Sequence, residues 1–197
     1  MLCGDTSFVV FQIVVMSILT VYSELVSCNM EVRLRLNSFS NYIVRDTLMT
    51  HPPVTAIHRM VEACRKGEYE LLIAPMPSGW AIMGGSQFLN GYSLLVPDPV
   101  VPHLNAMESL HRDQFLKDMA ALGDAVLAAT GAARINYAMF GNTEPALHAH
   151  VIPRYADEVP ELRSSHPWSY DWDAATPFSR AVHGGLLAKI QQALKIT

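Results

Sequence analysis

Two histidines separated by one residue, His148 and His150, are the residues of this 197-residue chain whose type and spacing suggest chemistry. Successive side chains of a β-strand point to opposite faces, so a strand here would direct both imidazoles to one side. The apolar residues between and beside them, Leu147, Ala149 and Val151, would then point to the other side. The pattern predicts a strand with the two histidines on one face and apolar side chains packed in a core on the other.

Three kinds of chemistry use such a histidine pair. A metal site needs a third protein ligand, and the positions where a cupin-like pattern places a Glu hold Arg154 and Tyr155, which weakens that interpretation. A general base needs a nucleophile, and the sequence contains no GxSxG nucleophile elbow. A neutral imidazole can instead attack a phosphorus centre itself, giving a phosphoramidate that water cleaves. We therefore predict a site without a metal ion or other cofactor.

The composition is that of a globular protein. Half of the residues are hydrophobic, which is enough for a sizeable core. The formal net charge is −4, whereas an extended nucleic-acid surface usually requires a basic patch or stripe, so we expect a small nucleotide and no nucleic-acid polymer. The cysteines Cys3, Cys28 and Cys64 show no CxxC spacing, and they fit neither a disulfide framework nor a zinc knuckle.

Residues 1–48 form an N-terminal extension that differs from the rest of the chain. The apolar run at 8–22 is marginal for a bilayer span of about 20 residues, and the segment before it has no Lys or Arg, unlike a secretory signal. Three alternatives stay open: a start codon assigned too early, with the true start near Met30 or Met49; a signal or anchor, with Cys28 in a lipoprotein-like cleavage box; or an extra packed element. We predict a cytoplasmic protein, or an anchored or exported one if the apolar run is a real signal.

Residues 49–197 are predicted to form one α+β domain, with an antiparallel sheet of about five strands and helices packed on one side. Apolar periodicity predicts a short helix at Ala56–Lys66, a long helix at Ser109–Thr130 and a closing helix around Arg180–Leu194. Four β-type runs precede the histidine strand, at 71–74, 80–83, 91–97 and 135–140. A hairpin, a strand, a helix, two strands and a helix, in this order, favour an antiparallel sheet.

The sequence around the histidines resembles the histidine-triad (HIT) superfamily of nucleotide hydrolases and transferases. The signature of that family is His-x-His-x-His followed by apolar residues and often by Pro-Arg. This chain reads HAHVIPR, with a GNT loop before it and the strand GYSLLVP upstream, so His150 matches the third histidine, His148 the middle one and Ala146 the first. The resemblance covers roughly residues 79–155. The tail segments RYADE and HPWSY look like a bacterial branch of the family.

The resemblance implies a mechanism for the two histidines. His148 would attack the α-phosphate of a nucleotide and form a nucleotidyl-histidine intermediate, while His150 would contact the phosphate or the leaving group. In the family, the middle histidine is oriented by the backbone carbonyl of the first triad position. Ala146 still supplies that carbonyl, so its presence need not abolish catalysis.

The resemblance also implies a phosphate-binding loop and a partner. The loop residues are Gly141, Asn142 and Thr143, and backbone N–H groups in such a turn suit an anion. Asn136, on the preceding strand, is a weaker candidate for the same polar shell. The family often forms homodimers, so we expect a homodimer; a membrane is an expected partner only if residues 1–48 are a real anchor.

Departures from the family pattern leave two functional classes open. The Asn or Asp that commonly holds the ribose is replaced by Gly84 and Gly85, and the His that often follows the glycine of the central strand is Tyr92. The first class is an enzyme that cleaves a phosphoanhydride or phosphoramidate bond of a nucleotide. The second is a catalytically weak or inactive nucleotide-binding module that lost the first triad histidine with the change to Ala146.

Three further side chains each have two interpretations. Arg154 would bind phosphate or form a salt bridge with the acidic tail. Trp168 and Tyr170 would line the substrate pocket or anchor the tail in a buried position.

Overall fold

A computed structural model describes residues 54–195, so the predicted extension 1–48 and its boundary lie outside the described residues. The helices of the described part are α1 (Ala56–Lys66), α2 (Ser109–Thr130), α3 (Pro160–Arg163) and α4 (Arg180–Leu194). Its strands are β1 (Leu72–Met76), β2 (Gly79–Met83), β3 (Ser93–Pro97), β4 (Arg134–Ala138) and β5 (Ala149–Arg154). Single 3₁₀ turns lie at Leu104–Ala106 and Pro167–Ser169.

The five strands form one antiparallel sheet in the order β1-β2-β3-β5-β4. The histidine strand β5 comes last in the sequence, yet it lies between β3 and β4. His150 is therefore flanked on both sides, by Leu94 of β3 and by Ala138 of β4. This architecture confirms the predicted α+β class and the predicted antiparallel five-stranded sheet.

The long helices α2 and α4 pack on one face of the sheet. Phe115 and Leu122 of α2 and Ile190 of α4 are fully buried in this core. The strand residues that meet these helices alternate along the chain, as a half-buried strand requires. They are Ala81, Met83, Leu95, Ala149 and Val151. The face of β5 that carries Ala149 and Val151 therefore packs in the core, as the sequence predicted.

The short helix α1 packs on the opposite face, which differs from the expected arrangement of helices on one side. Its buried residues Ile57, Val61 and Cys64 form a second core cluster with strand residues of the other parity, such as Ile82 and Ile152. The reason is that the central strands β3 and β5 are buried on both faces, so the second face also needs a cover. The sheet therefore has helices on both sides.

A buried carboxylate ties α2 to the β1–β2 turn. Asp118 of α2 accepts hydrogen bonds from the backbone amide of Ser78 at 2.8 Å and from the Ser78 hydroxyl at 2.6 Å. Gln114, one helical turn earlier, donates to the other carboxylate oxygen at 2.7 Å. Buried polar groups need such partners. The hydrogen bonds explain how a charged residue lies inside the core of this helix.

Within residues 54–195, no helix combines the length and the apolar character that a membrane crossing requires. The apolar run at 8–22 lies outside this range.

Candidate active site

The histidine pair lies where the chain enters the central strand β5. His150 belongs to the strand, whereas His148 directly precedes its first residue, so the strand begins later than the alternation pattern suggested. The exposed fractions of the two residues are 8% and 9%, and their ring centroids lie 4.8 Å apart in an edge-on arrangement. No three His, Cys, Asp or Glu side chains in the described part of the chain are placed to hold a metal ion. The pair is therefore a compact, poorly hydrated unit.

The hydrogen bond of His148 fixes its protonation pattern. Its Nδ1 lies 2.8 Å from the backbone carbonyl oxygen of Ala146. A carbonyl oxygen only accepts, so Nδ1 carries the proton in this bond, and in the neutral ring Nε2 keeps its lone pair. His148 thus has the tautomer of a nucleophile, and Ala146 supplies the orienting group through its backbone.

Glu144, which sequence reasoning missed, anchors the chain just before the histidines. Its carboxylate accepts hydrogen bonds from the backbone amides of Ala56 at 3.0 Å and Ala146 at 3.2 Å. Ala56 begins helix α1, whose first amides lack intrahelical partners and carry partial positive charge. Burial raises the pKa of Glu144, but hydrogen bonds from Thr55 and from these amides outweigh it and keep the pKa below its usual value. The position of the Ala146 carbonyl is therefore tied to α1.

His150 is enclosed by aromatic side chains. The hydroxyl of Tyr92 lies 2.6 Å from its Nδ1, and the two rings are nearly parallel at 5.9 Å. Trp168 meets the imidazole edge-on at 5.0 Å, and Phe140 lies at 6.2 Å. Burial, together with the neighbouring His148, lowers the pKa of His150 to about 4. His150 is therefore a neutral imidazole at physiological pH.

The low pKa of His150 predicts a loss of stability in mild acid. The folded-state pKa of about 4 lies below the ordinary value of 6.5. Between these pH values the unfolded chain binds a proton that the folded chain excludes. The contribution of His150 to the free energy of unfolding is therefore fully present above pH 6.5 and is lost as the pH falls towards 4. We expect this residue to account for roughly 2 kcal/mol of the loss. Urea unfolding of wild-type protein and the His150→Gln variant across this pH range measures it.

The exposed His103 offers the matched control. A His103→Gln variant should keep the acid sensitivity of the wild type, whereas His150→Gln should lose most of the part assigned to this residue. Parallel stability curves for wild type and His150→Gln would contradict the assignment.

The predicted phosphate-binding residues fall in two separate places. Gly141, Asn142 and Thr143 are exposed and lead directly into the anchored Glu144, and the two side chains make no hydrogen bond to other residues of the 54–195 range. Asn136 lies on β4 opposite Ile152, about 7 Å along the strand from the partner of His150. There it lines a separate cavity of about 590 Å³. The loop is thus adjacent to the histidine segment, whereas Asn136 is not.

The glycine that replaces the expected ribose-binding residue has a steric reason. A Cβ built on Gly84 would lie 2.1 Å from Cδ1 of Tyr92, far inside van der Waals contact. The Tyr92 ring therefore requires a glycine beneath it. The two departures from the family pattern, at position 84 and at position 92, are one structural feature.

The tail is locked over this region by a buried ion pair. Arg154 donates to the Glu158 carboxylate at 2.8 Å, and the hydroxyl of Tyr170 donates to the same carboxylate. The other N–H groups of the guanidinium donate to tail carbonyls, those of Leu162, Arg163 and Ser165. Of the two roles that the sequence suggested, Arg154 thus has that of the salt bridge, and it anchors the tail. Tyr170 is likewise part of the anchor, while Trp168 reaches His150.

The folds of several solved structures match this arrangement. A histidine triad (HIT) protein from Sinorhizobium meliloti 1021 aligns with a TM-score of 0.55 at 21% identity, over 62% of this chain and 88% of that chain. A Hit-like protein involved in cell-cycle regulation from Bartonella henselae gives 0.56 at 17% identity, over 73% and 98%.

The domain has the histidine-triad fold.

A third structure with the histidine-triad fold shows how far the sequences have diverged. A hypothetical histidine triad nucleotide-binding protein from Sulfolobus tokodaii strain 7 aligns with a TM-score of 0.57 at only 12% identity, over 70% of this chain and 92% of that chain. No protein-family model and no curated protein matches the sequence itself. The fold is therefore established by structure, and the function must be argued from the site.

Proposed function

We propose that the chain is a member of the HIT superfamily and an enzyme that cleaves a phosphoanhydride or phosphoramidate bond of a small nucleotide, or transfers the nucleotidyl group. One observation carries the proposal, the hydrogen bond from Nδ1 of His148 to the Ala146 carbonyl. This bond leaves Nε2 unprotonated and holds the imidazole in one orientation. A nucleophile requires such a free lone pair in a fixed position. The orienting group belongs to the backbone, so alanine at the first triad position does not remove it.

The reaction has two displacement steps. Nε2 of His148 forms a bond to the α-phosphorus while the bond to the leaving group breaks, and the leaving group takes the electron pair. The nucleotidyl-imidazolium that results keeps its proton on Nδ1, where the Ala146 carbonyl stabilises the positive charge. Water then attacks phosphorus, the P–N electron pair returns to Nε2, and the proton of the water passes to solvent.

The remaining predicted site residues have supporting roles in the proposal. His150 would donate a hydrogen bond to the phosphoryl oxygens, because it is the polar neighbour of His148 at 4.8 Å between ring centroids. The exposed backbone of residues 141–143 would bind the same oxygens, since consecutive backbone N–H groups in a turn suit anions. Asn136 stays a weaker prediction, because it lines a separate cavity.

Trapping the intermediate tests the proposal. The full 197-residue chain is mixed with adenosine and guanosine polyphosphates and with an adenosine phosphoramidate, monophosphate release is followed, and the mixture is quenched in alkali to preserve P–N bonds. We expect turnover, and a peptide containing His148 whose mass is increased by one nucleotidyl group. Absence of both turnover and adduct across the panel would contradict the proposal.

A binding module is the second candidate, and one observation favours it. Both histidines are more than nine-tenths buried, and Trp168 lies against His150, so the histidine pair has little exposed surface for a substrate to reach. A module of this kind would bind a nucleotide without turning it over. Calorimetric binding of a polyphosphate together with no monophosphate release and no adduct would select this alternative.

We further propose a homodimer formed through the edge of the sheet. Among the strands of residues 54–195, β4 pairs only with β5, so within this range its other edge offers unpaired backbone groups. Large apolar side chains are exposed on and just after this strand, those of Tyr137, Met139 and Phe140. Sedimentation velocity would show a single monomeric species if this proposal is wrong.

The cytoplasmic location stays a prediction that cell fractionation can check.

A further inference from the structure

The hydroxyl of Tyr92 is buried beside His150. The residue is almost inaccessible to water, and its ring contacts the rings of Phe88, Trp172 and His150. Within residues 54–195 the hydroxyl bonds to Nδ1 of His150 alone, at 2.6 Å. An unsatisfied buried donor is costly, so the phenolic proton must point at that nitrogen.

This hydrogen bond sets the tautomer of His150. A nitrogen that accepts the phenolic proton carries none of its own, so the proton of the neutral imidazole resides on Nε2. His148 has the opposite arrangement, with its proton on Nδ1 facing the Ala146 carbonyl. One histidine therefore presents a lone pair at Nε2, and its neighbour presents an N–H donor there.

We propose that Tyr92 is a positioning residue that holds His150 as the neutral Nε2–H tautomer and thereby restricts the site to nucleotides whose leaving group departs as an oxyanion. Nucleoside polyphosphates and mixed phosphoric anhydrides belong to this class, and phosphoramidates do not. This specificity claim rests on the proposed function; the claim about the tautomer does not.

The chemistry of the leaving groups explains the restriction. A phosphate leaves with the P–O electron pair and needs no proton at neutral pH, so an N–H donor at Nε2 suffices. An amine leaving group must gain a proton on nitrogen as the P–N bond breaks. If His150 gave up its Nε2 proton, the phenolic proton would have to move to Nδ1 and leave a buried tyrosinate. Burial raises the pKa of Tyr92, which opposes that transfer.

Among residues 54–195, the surroundings of His150 contain no group that reverses this restriction. The side chains in ring contact with it are Tyr92, Phe140, Trp168 and His148, of which only the first and last titrate. A protonated His148 would disfavour a second positive charge at His150. Glu144, the nearby carboxylate, interacts with His148 and is held by backbone amides. Within the described part of the chain, His150 therefore has no carboxylate partner that would keep it protonated as an acid.

Nitrogen NMR tests the tautomer without any substrate. In ¹⁵N-labelled full-length protein near pH 7, we expect Nδ1 of His150 to show the shift of an unprotonated acceptor and Nε2 that of an N–H. Tyr92→Phe keeps the ring and removes the hydroxyl, so it should give a mixture of both tautomers. Tyr155→Phe, which removes a hydroxyl bonded to the Asn90 carbonyl, should leave the His150 signals as in wild type. A tautomer mixture in the wild type, or an unchanged spectrum in Tyr92→Phe, overturns the positioning role.

A substrate comparison tests the restriction. At pH 7 the wild-type chain is given diadenosine polyphosphate and an adenosine phosphoramidate in parallel, with His148→Ala as blank. We expect kcat/KM for the anhydride to exceed that for the phosphoramidate at least 100-fold, and kcat for the anhydride to drop at least tenfold in Tyr92→Phe with little change in KM. Comparable cleavage of both substrates by wild type overturns the restriction. Failure to cleave either one overturns the proposed enzymatic function instead, and the NMR result then decides the positioning role by itself.

Discussion

Replacement of His148 by alanine is expected to lower kcat for nucleotide cleavage by a factor of at least about 10³, the scale seen when a covalent nucleophile is removed. In the wild type, Nε2 carries the lone pair because Nδ1 is bonded to the Ala146 carbonyl. His150 does not offer such a nitrogen, because its Nδ1 accepts the hydrogen bond from Tyr92. Steady-state monophosphate release with the best substrate of the panel measures the effect.

Two controls separate loss of chemistry from loss of structure. His148→Asn removes the imidazole but keeps a polar side chain, and it should be as inactive as the alanine variant while unfolding at nearly the wild-type temperature. His103→Ala removes an exposed histidine outside the site and should retain full activity. If either His148 variant keeps more than about a tenth of the wild-type kcat, the nucleophile is another residue, and the mechanism of two displacements at this position is wrong.

Replacement of Glu158 by glutamine is expected to cost about 3–5 kcal/mol of the free energy of unfolding, because it leaves a buried guanidinium without its counter-charge. The side chains of Arg154 and Glu158 are only 7% and 4% exposed. Burial alone would raise the pKa of Glu158, but the hydrogen bonds from Arg154 and Tyr170 hold it below its ordinary value, so the pair is ionised in the fold. Urea unfolding at pH 7 gives the free energy directly.

The exposed pair of Glu62 with Lys66 supplies the matched comparison. Glu62→Gln makes the same chemical change at a side chain that is 53% exposed, and it should cost at most about 1 kcal/mol. Tryptophan fluorescence is expected to change in Glu158→Gln, because the tail that presents Trp168 to His150 loses its anchor. Equal costs for the two substitutions would show that burial of the ion pair is not what matters.

Two helices could be predicted with their boundaries because the signals that start and end a helix are local in the sequence. The boundaries of the predicted helices at Ala56–Lys66 and Ser109–Thr130 agree with the structure, and each ends before a glycine in the left-handed conformation, Gly67 or Gly131. The two faces of β5 could also be predicted, since successive side chains of a strand point to opposite faces. What periodicity could not supply was the side of the sheet that α1 covers.

The site could be predicted only where the residues in contact are close together in the sequence. The Ala146 carbonyl and His148 are two residues apart, so the motif already contained their relation. Tyr92 and His150 are 58 positions apart, and the sequence marked Tyr92 as a departure without showing that it bonds to the second histidine. Glu144 escaped notice for the same reason, because its partner Ala56 lies 88 positions away.

The place of β5 in the sheet ties function to the order of folding. This strand pairs with β3, more than fifty positions earlier in the chain, and separates it from β4. Contacts this distant form late, after the entropy of closing the intervening chain has been overcome. A partly folded chain can contain both histidines and still lack the geometry that makes one a donor and the other a nucleophile. The arrangement that the proposed mechanism requires therefore exists only when the sheet is complete.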